Sequence, residues 1–242
     1  MIKDNIRKVK ERIASVCSKI GSDPSDISII AVTKGRGIEQ IKEACDAGLA
    51  EIGENKVQEA LLKYNELSQP QAGKPSAETI DYRPSTIKWH MIGHLQTNKA
   101  KVAVNIFDLI QSVDSLQLAS EINKQAGKIN KVQDILIEVN VSAETSKFGL
   151  KPDEVIDNIK AITQLANINI KGLMTVAPIV DNPEKVRPYF RVLNGLKDEI
   201  NRLMADSCKL SILSMGMTDD FEIAIEEGAN MVRLGRAIFE ER

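Results

Sequence analysis

The sequence predicts an α/β protein built as a (β/α)8 barrel, and two observations lead there. Eight short β-rich runs are spread along the chain, and helical patterns separate them. Such alternation argues for a parallel sheet, because parallel neighbours need crossover connections, and closing eight strands on themselves is the economical arrangement. An open doubly wound sheet has the same periodicity and stays open at this stage. The length, 242 residues, suits one barrel, and we take 1–242 as a single domain.

The first element is a helix ahead of the barrel. Ile2, Ile6, Val9, Ile13, Val16 and Ile20 fall on one stripe, and Gly21 with Pro24 ends it. The strand candidates are ISIIAV (27–32), LAEIG (49–53), IKWHMIG (87–93), IFDLIQSV (106–113), DILIEVNV (134–141), INIKGLMTV (168–176), KLSILSMG (209–216) and MVRLG (231–235). After the first, Ile38, Ile41 and Cys45 share a helix face closed by Gly48. Val57, Leu61 and Tyr64 mark the next helix. Leu116, Ala119 and Ile122 mark another, capped by Asp114 and followed by Gly127. Pro152 opens a helix carrying Val155, Ile159 and Ile162, and the longest runs from Pro183 to about Ala205, with Pro188 near its start. Thr218 is the expected N-cap for Phe221, Ala224 and Ile225, with Gly228 past the end. The stretch SQPQAGKPSAETIDYRPST (68–86), with three prolines, reads as a surface insertion before the third strand.

Charge excludes some partners. With 32 basic and 34 acidic side chains the net charge is −2, so no global field draws nucleic acid or an anionic membrane. The start, MIKDNIRKVKERIASV, interleaves charges with apolar residues and reads as neither signal peptide nor spanning helix. No apolar run approaches the length of a membrane span. Cys17, Cys45 and Cys208 are scattered without CxxC spacing, which points to a reducing, cytoplasmic setting and packing roles. No interface stripe stands out, and a monomer is expected.

In a barrel the functional groups sit where strands end, and phosphate commonly binds after the seventh and eighth. The first strand ends in AVTKGRG, which puts Lys34 where the apolar run stops. An amine just inside an apolar mouth is expected to be partly desolvated, nucleophilic and suited to Schiff-base chemistry. The seventh strand delivers Ser214-Met215-Gly216-Met217-Thr218 and the eighth Arg233-Leu234-Gly235-Arg236. A hydroxyl, glycines and unpaired backbone N–H groups there make a phosphate cradle, which with Lys34 suits a phosphorylated aldehyde. The same stretches also read as ordinary strand-to-helix turns. His90 and His94, spaced HxxxH, lack an acidic or cysteine partner close by and make a poor zinc site. Walker, Rossmann and Ser-His-Asp signatures are absent.

Seven stretches together carry a resemblance: AVTKGRG, GENKVQEAL, IKWHMIGHLQTNK, QSVDSLQLA, EVNVSAETSKFG, GLMTVAP and LSMGMTDDFEIAIEEGANMVRLGRAIF. In order and spacing they resemble the pyridoxal-phosphate homeostasis protein family, the barrel proteins like the alanine racemase N-terminal domain, across residues 2 to 239. The resemblance implies a modified barrel that holds pyridoxal 5′-phosphate (PLP) as a Schiff base on Lys34. It implies Ser214 and the backbone around Gly216 and Gly235 at the phosphate, and Arg233 at the pyridine nitrogen. Asn55 and His90 would lie near the ring or the lysine, and Lys147 would take part in secondary PLP handling. Two departures stand out. Thr33-Lys34-Gly35-Arg36-Gly37 replaces the usual Ser-Lys-Thr-Lys-Pro, and Arg236 replaces a threonine beside the phosphate, where it either pairs with that anion or points outward.

The resemblance further implies a role in intracellular vitamin B6 and amino-acid balance without efficient turnover, with PLP-dependent apo-enzymes as possible partners. An arginine at the ring nitrogen weakens the cofactor as an electron sink, because two adjacent positive charges repel. Alanine racemase uses such a partner too, but takes an opposing tyrosine base from a second domain. Here Tyr64 and Tyr189 fall in helical patterns and Tyr82 in the insertion, and seven residues follow Gly235. A low-activity PLP enzyme such as a racemase remains the alternative. So does a barrel enzyme for phosphorylated metabolites in which Lys34 holds no PLP.

Overall fold

The structure is a computed structural model that describes residues 1–68, 86–142, 144, 147–205 and 207–241. Apart from its two end residues, the 68–86 insertion lies outside the described residues. Eight strands close into a barrel: β1 (Ser28–Val32), β2 (Glu51–Glu54), β3 (Lys88–Met91), β4 (Leu109–Val113), β5 (Gln133–Glu138), β6 (Ile168–Met174), β7 (Ile212–Ser214) and β8 (Met231–Leu234). Every neighbouring pair is parallel, and β8 returns to β1 with Ile30 opposite Arg233. Each strand falls within one of the eight predicted runs, give or take a residue. The closed barrel, not the open sheet, is the architecture.

The helices are α1 (Ile2–Ile20), α2 (Ile38–Asp46), α3 (Val57–Ser68), α4 (Ala100–Ile106), α5 (Leu116–Gly127), α6 (Val155–Ile162), α7 (Arg187–Leu203), α8 (Phe221–Glu226) and α9 (Arg236–Phe239). The apolar stripe of α1 is buried from Ile2 to Val16, and Gly21 ends the helix in the left-handed region. Its Arg12 forks onto the Glu222 carboxylate at 3.0 and 2.8 Å and lies 4.5 Å from the Phe221 ring centre, docking α1 on α8.

Strand alternation gives the molecule two cores. One fills the space between helices and sheet, with Trp89, Met91, Ile110 and Phe190 among its members. A smaller one, Ile30, Leu109, Leu136, Met174 and Met231, fills the barrel interior.

Three local expectations change. The α4 helix was not predicted, and the run that begins IFDL straddles its last residue, Ile106. Ser115 caps α5 by accepting from the Leu118 N–H, while Asp114 lies 3.3 Å from His94 Nδ1. Asp220 occupies the N-cap position of α8, and Thr218 Oγ1 instead accepts from the Ala237 N–H at 3.2 Å. That bond ties the exit of β7 to the first turn of α9. Pro188 sits in the opening positions of α7, where its missing N–H costs no helix bond.

Candidate functional site

The carboxyl ends of the strands form one mouth of the barrel, and the loop after β1 is held there from both sides of Lys34. Lys63, buried on α3, donates to the Thr33 carbonyl at 2.7 Å, to Glu54 Oε1 at 2.6 Å and to Glu59 Oε1 at 2.7 Å. Glu59 in turn accepts from the Gly35 N–H at 2.6 Å, and the Thr33 hydroxyl donates to Glu54 at 2.6 Å. Burial pushes the Glu54 carboxyl up, against hydrogen bonds from Lys63 and Thr33 that pull it down. Gly35 takes φ 68°, a left-handed turn that a side chain would strain. Lys34, between these anchors, is exposed rather than enclosed by the mouth, so the expected partial desolvation is not met.

A cavity of about 290 Å³ opens beside it, lined by Lys34, Thr218, Arg233, Gly235 and Arg236 and closed on one side by the 177–180 segment after β6. Its two carboxylates are engaged by neighbours: Asp219 pairs with Arg236, and Asp220 accepts from the Met217 N–H at 2.5 Å. The Arg233 guanidinium is buried. Its Nη2 donates to the Thr175 carbonyl at 2.7 Å and its Nη1 to Ser214 Oγ at 2.6 Å. Burial pushes its pKa down to about 10, while Glu138 and Asp220 oppose that shift.

Four of the eight predicted site residues, Lys34, Arg233, Gly235 and Arg236, therefore line this cavity. The other four lie elsewhere. Ser214, expected at a phosphate, spends its hydroxyl inside the barrel, donating to Gln111 Oε1 at 2.6 Å while accepting from Arg233. His90 lies deeper still, with Nδ1 accepting from Gln111 Nε2 at 3.0 Å and Nε2 3.3 Å from Glu51 Oε2. Gly216 is required by packing: at φ 92°, a Cβ there would stand 2.6 Å from Ala224 Cβ. Asn55 follows β2 at the same mouth, and its buried Oδ1 has no hydrogen-bond partner among the described residues. Nothing comparable requires the glycine at 235, where φ is −106° and an added Cβ would meet Val32 at an ordinary 3.5 Å. Arg236 is exposed and turned to Asp219.

Glu138, at the end of β5, was missed. It is a carboxyl set between Ile137 and Val139, and that incongruity was the available signal. Its buried Oε2 is also unpartnered among the described residues, and burial raises its pKa to about 7, with Asp114 adding to the rise and Arg233 opposing it. His94 stacks on Phe148 with ring centres 3.7 Å apart, so the two histidines serve separate sites. Lys147 pairs with Glu144 at 2.9 Å.

The fold and this mouth define a class: a closed (β/α)8 barrel with an amine, a buried guanidinium and an unfilled glycine position around one cavity. The chain belongs to the alanine racemase N-terminal domain family, whose model matches residues 2–242. It is 42% identical over 239 residues to the pyridoxal phosphate homeostasis protein of Aquifex aeolicus, covering 99% of this chain and 97% of that one. Among solved structures it is similar to PipY of Synechococcus elongatus with PLP bound, at 32% identity and TM-score 0.78, covering 96% of this chain and 99% of PipY. A Clostridium difficile alanine racemase shares the fold at 15% identity and TM-score 0.73, and this chain covers 60% of it.

Proposed function

We propose that this protein binds PLP at the carboxyl mouth of the barrel and serves PLP and amino-acid homeostasis, not efficient turnover. One observation carries the reading: Lys34, Arg233 and Arg236 border a single cavity, which pairs an exposed lysine with cationic groups for an aldehyde that bears a phosphate. The Aquifex protein's name and the PLP in PipY support it. When bound, PLP supplies an aldehyde that condenses with a primary amine and releases water.

Lys34 is the amine in this reading. Arg233 faces the ring nitrogen as a donor, which favours the unprotonated nitrogen and so a weak electron sink. Thr218, the Gly235 backbone and Arg236 take the phosphate, a role that passes from Ser214 because its proton is already given to Gln111. The absence of a side chain at Gly235, which packing against Val32 does not demand, suits the close approach of an anion to backbone. Asn55, with its unpartnered buried oxygen at the same mouth, would lie near the ring or the lysine. An exposed Lys34 favours exchange with solvent and with PLP-dependent apo-enzymes over stereochemically controlled chemistry. The chain acts as a monomer in the cytoplasm, and no described helix is long and apolar enough to cross a membrane.

The test is the absorbance spectrum of PLP-loaded protein followed by borohydride trapping and peptide mapping. A reduced adduct on Lys34 is expected, and its absence removes the assignment. A second reading, weak racemisation, draws on Glu138, a carboxyl near neutrality at the same mouth. It requires solvent deuterium to enter the α-position of amino acids and to stop doing so in Lys34→Ala.

A further inference from the structure

The barrel interior holds a row of polar side chains that reaches far beyond the cavity. Glu51, His90, Gln111, Ser214 and Arg233 come from five strands, β2, β3, β4, β7 and β8, and the last four are buried. Arg233 Nη1 donates to Ser214 Oγ at 2.6 Å, and Ser214 donates to Gln111 Oε1 at 2.6 Å. Gln111 Nε2 then donates to His90 Nδ1 at 3.0 Å, and His90 Nε2 stands 3.3 Å from Glu51 Oε2. Glu51 and His90 line a second cavity, about 320 Å³, at the opposite mouth, with Lys88, Asp134 and Lys171. The row spans the barrel from one mouth to the other.

Its direction follows from which groups can donate. A guanidinium only donates and a carboxylate only accepts. Arg233 donates to Ser214 Oγ, and the Ser214 hydroxyl gives its single proton to Gln111 Oε1. Having accepted through oxygen, the Gln111 amide donates through nitrogen. His90 Nδ1 must then carry the lone pair and Nε2 the proton, which faces Glu51. The proximity of His90, with Lys88 adding, holds the Glu51 carboxyl below its usual range, and the hydrogen bonds of the row end at His90. Every proton in the row points away from Arg233.

We propose that Gln111 and His90 are positioning residues for Arg233, completing with the Thr175 carbonyl the hold on its guanidinium plane through a one-way donor chain that ends on His90, beside Glu51 at the far mouth. The cavity then meets a fixed donor, and Ser214 has no proton left for a ligand. For PLP, on the reading above, this selects a ring nitrogen that accepts over one that is protonated.

The test uses the full chain, 15N-labelled and free of PLP, as wild type, Gln111→Leu and Gln111→Glu. With two histidines in the sequence the imidazole signals are simple to assign. In the wild type, the neutral His90 imidazole is expected to carry its proton on Nε2, and the two Nη nitrogens of Arg233 to give separate signals. In Gln111→Leu the Nη1 signal moves and broadens as Ser214 loses its acceptor, while Nη2 stays held by the Thr175 carbonyl. Gln111→Glu still accepts from Ser214 and keeps the wild-type Nη1 signal, but draws a proton onto His90 Nδ1. A wild-type His90 protonated at Nδ1 overturns the proposal, and so do Arg233 signals that ignore Gln111→Leu.

If Gln111→Leu does not fold, His90→Gln and His90→Leu replace it. The amide preserves the donor direction and the leucine ends it, so the change at Nη1 is expected only in the second, and a change in neither or both overturns the chain. In a parallel arm, PLP should leave Gln111→Leu about fivefold faster than wild type, the factor one neutral hydrogen bond carries. An unchanged rate counts against positioning. A wild type that takes up no PLP defeats the cofactor reading instead, and the ligand-free spectra still judge the chain.

Discussion

Lys63 Nζ donates to the Thr33 carbonyl at 2.7 Å, one residue before the lysine that borders the cavity. The same ammonium satisfies Glu54, whose side chain is wholly buried, and Glu59, which holds the Gly35 N–H. One buried cation thus fixes the backbone on both sides of Lys34. It also joins the first βα loop to α3.

Lys63→Met removes that cation and leaves Glu54 buried with the Thr33 hydroxyl as its donor. Breaking a buried pair from one side costs about 3–5 kcal/mol, which is the loss expected in urea unfolding. Amide exchange at Lys34 and Gly35 should quicken in the same variant. Adding Glu54→Leu should recover much of the stability, since an apolar pair of similar volume avoids the charge. A single variant within about 0.5 kcal/mol of wild type would show that water reaches Glu54.

Ser214→Ala separates two roles for one hydroxyl. A phosphate contact would leave the ligand-free protein as stable as before. A hydroxyl bonded to Gln111 and Arg233 would not, because its loss leaves two buried polar groups short of a partner. The expected cost is about 2–3 kcal/mol in denaturant unfolding without PLP. No loss there would return Ser214 to the cavity.

The contrast between Ser214 and Lys34 shows what the sequence could carry. Alternation along a strand sorts side chains into inner and outer sets, so Met231, Arg233 and Gly235 were readable as one face, as were Lys88 and His90. Height within the barrel was not readable. It depends on strand stagger, which no single strand encodes, and stagger puts His90 beside Glu51 at the far mouth while Arg233 reaches the cavity. The Lys63–Glu54 pair left no trace either, since its partners sit on a strand and the helix after it with no helical spacing between them. Glu138 did leave one, as a carboxyl between Ile137 and Val139, and so did Gln111, as an amide straight after Leu109 and Ile110. The strands were legible because eight apolar runs repeat, and α4 was missed because its seven residues run into β4 after only two more.

Glu138 makes stability depend on pH. Its folded pKa of about 7 lies above the ordinary 4.5, so between those values the folded state binds more protons than the unfolded one. Stability must therefore fall as pH rises from about 4.5 to about 7 and level off above, by at most about 3 kcal/mol from this group. Glu138→Gln should remove that part of the slope and be more stable than wild type at pH 8. Parallel pH curves for the two proteins would mean the carboxyl is solvated. Unfolding free energies measured across this range decide it.

Gly216 and Gly235 follow the two strands at the cavity, yet they answer to different constraints. At Gly216 the left-handed φ and the 2.6 Å approach to Ala224 Cβ make the glycine a requirement of the fold. Gly216→Ala should lose more than about 2 kcal/mol of stability whether or not PLP is present. At Gly235 the backbone is in an ordinary region and a methyl group finds room at 3.5 Å from Val32. Gly235→Ala should therefore leave ligand-free stability within about 0.5 kcal/mol, while a methyl group at the proposed phosphate position weakens PLP retention by tenfold or more, about 1.4 kcal/mol. Thermal unfolding of both apo variants, set against their PLP titrations, separates the two. If Gly235→Ala holds PLP as well as wild type does, the phosphate lies elsewhere on the rim, and Thr218 with Arg236 becomes the pair to substitute next.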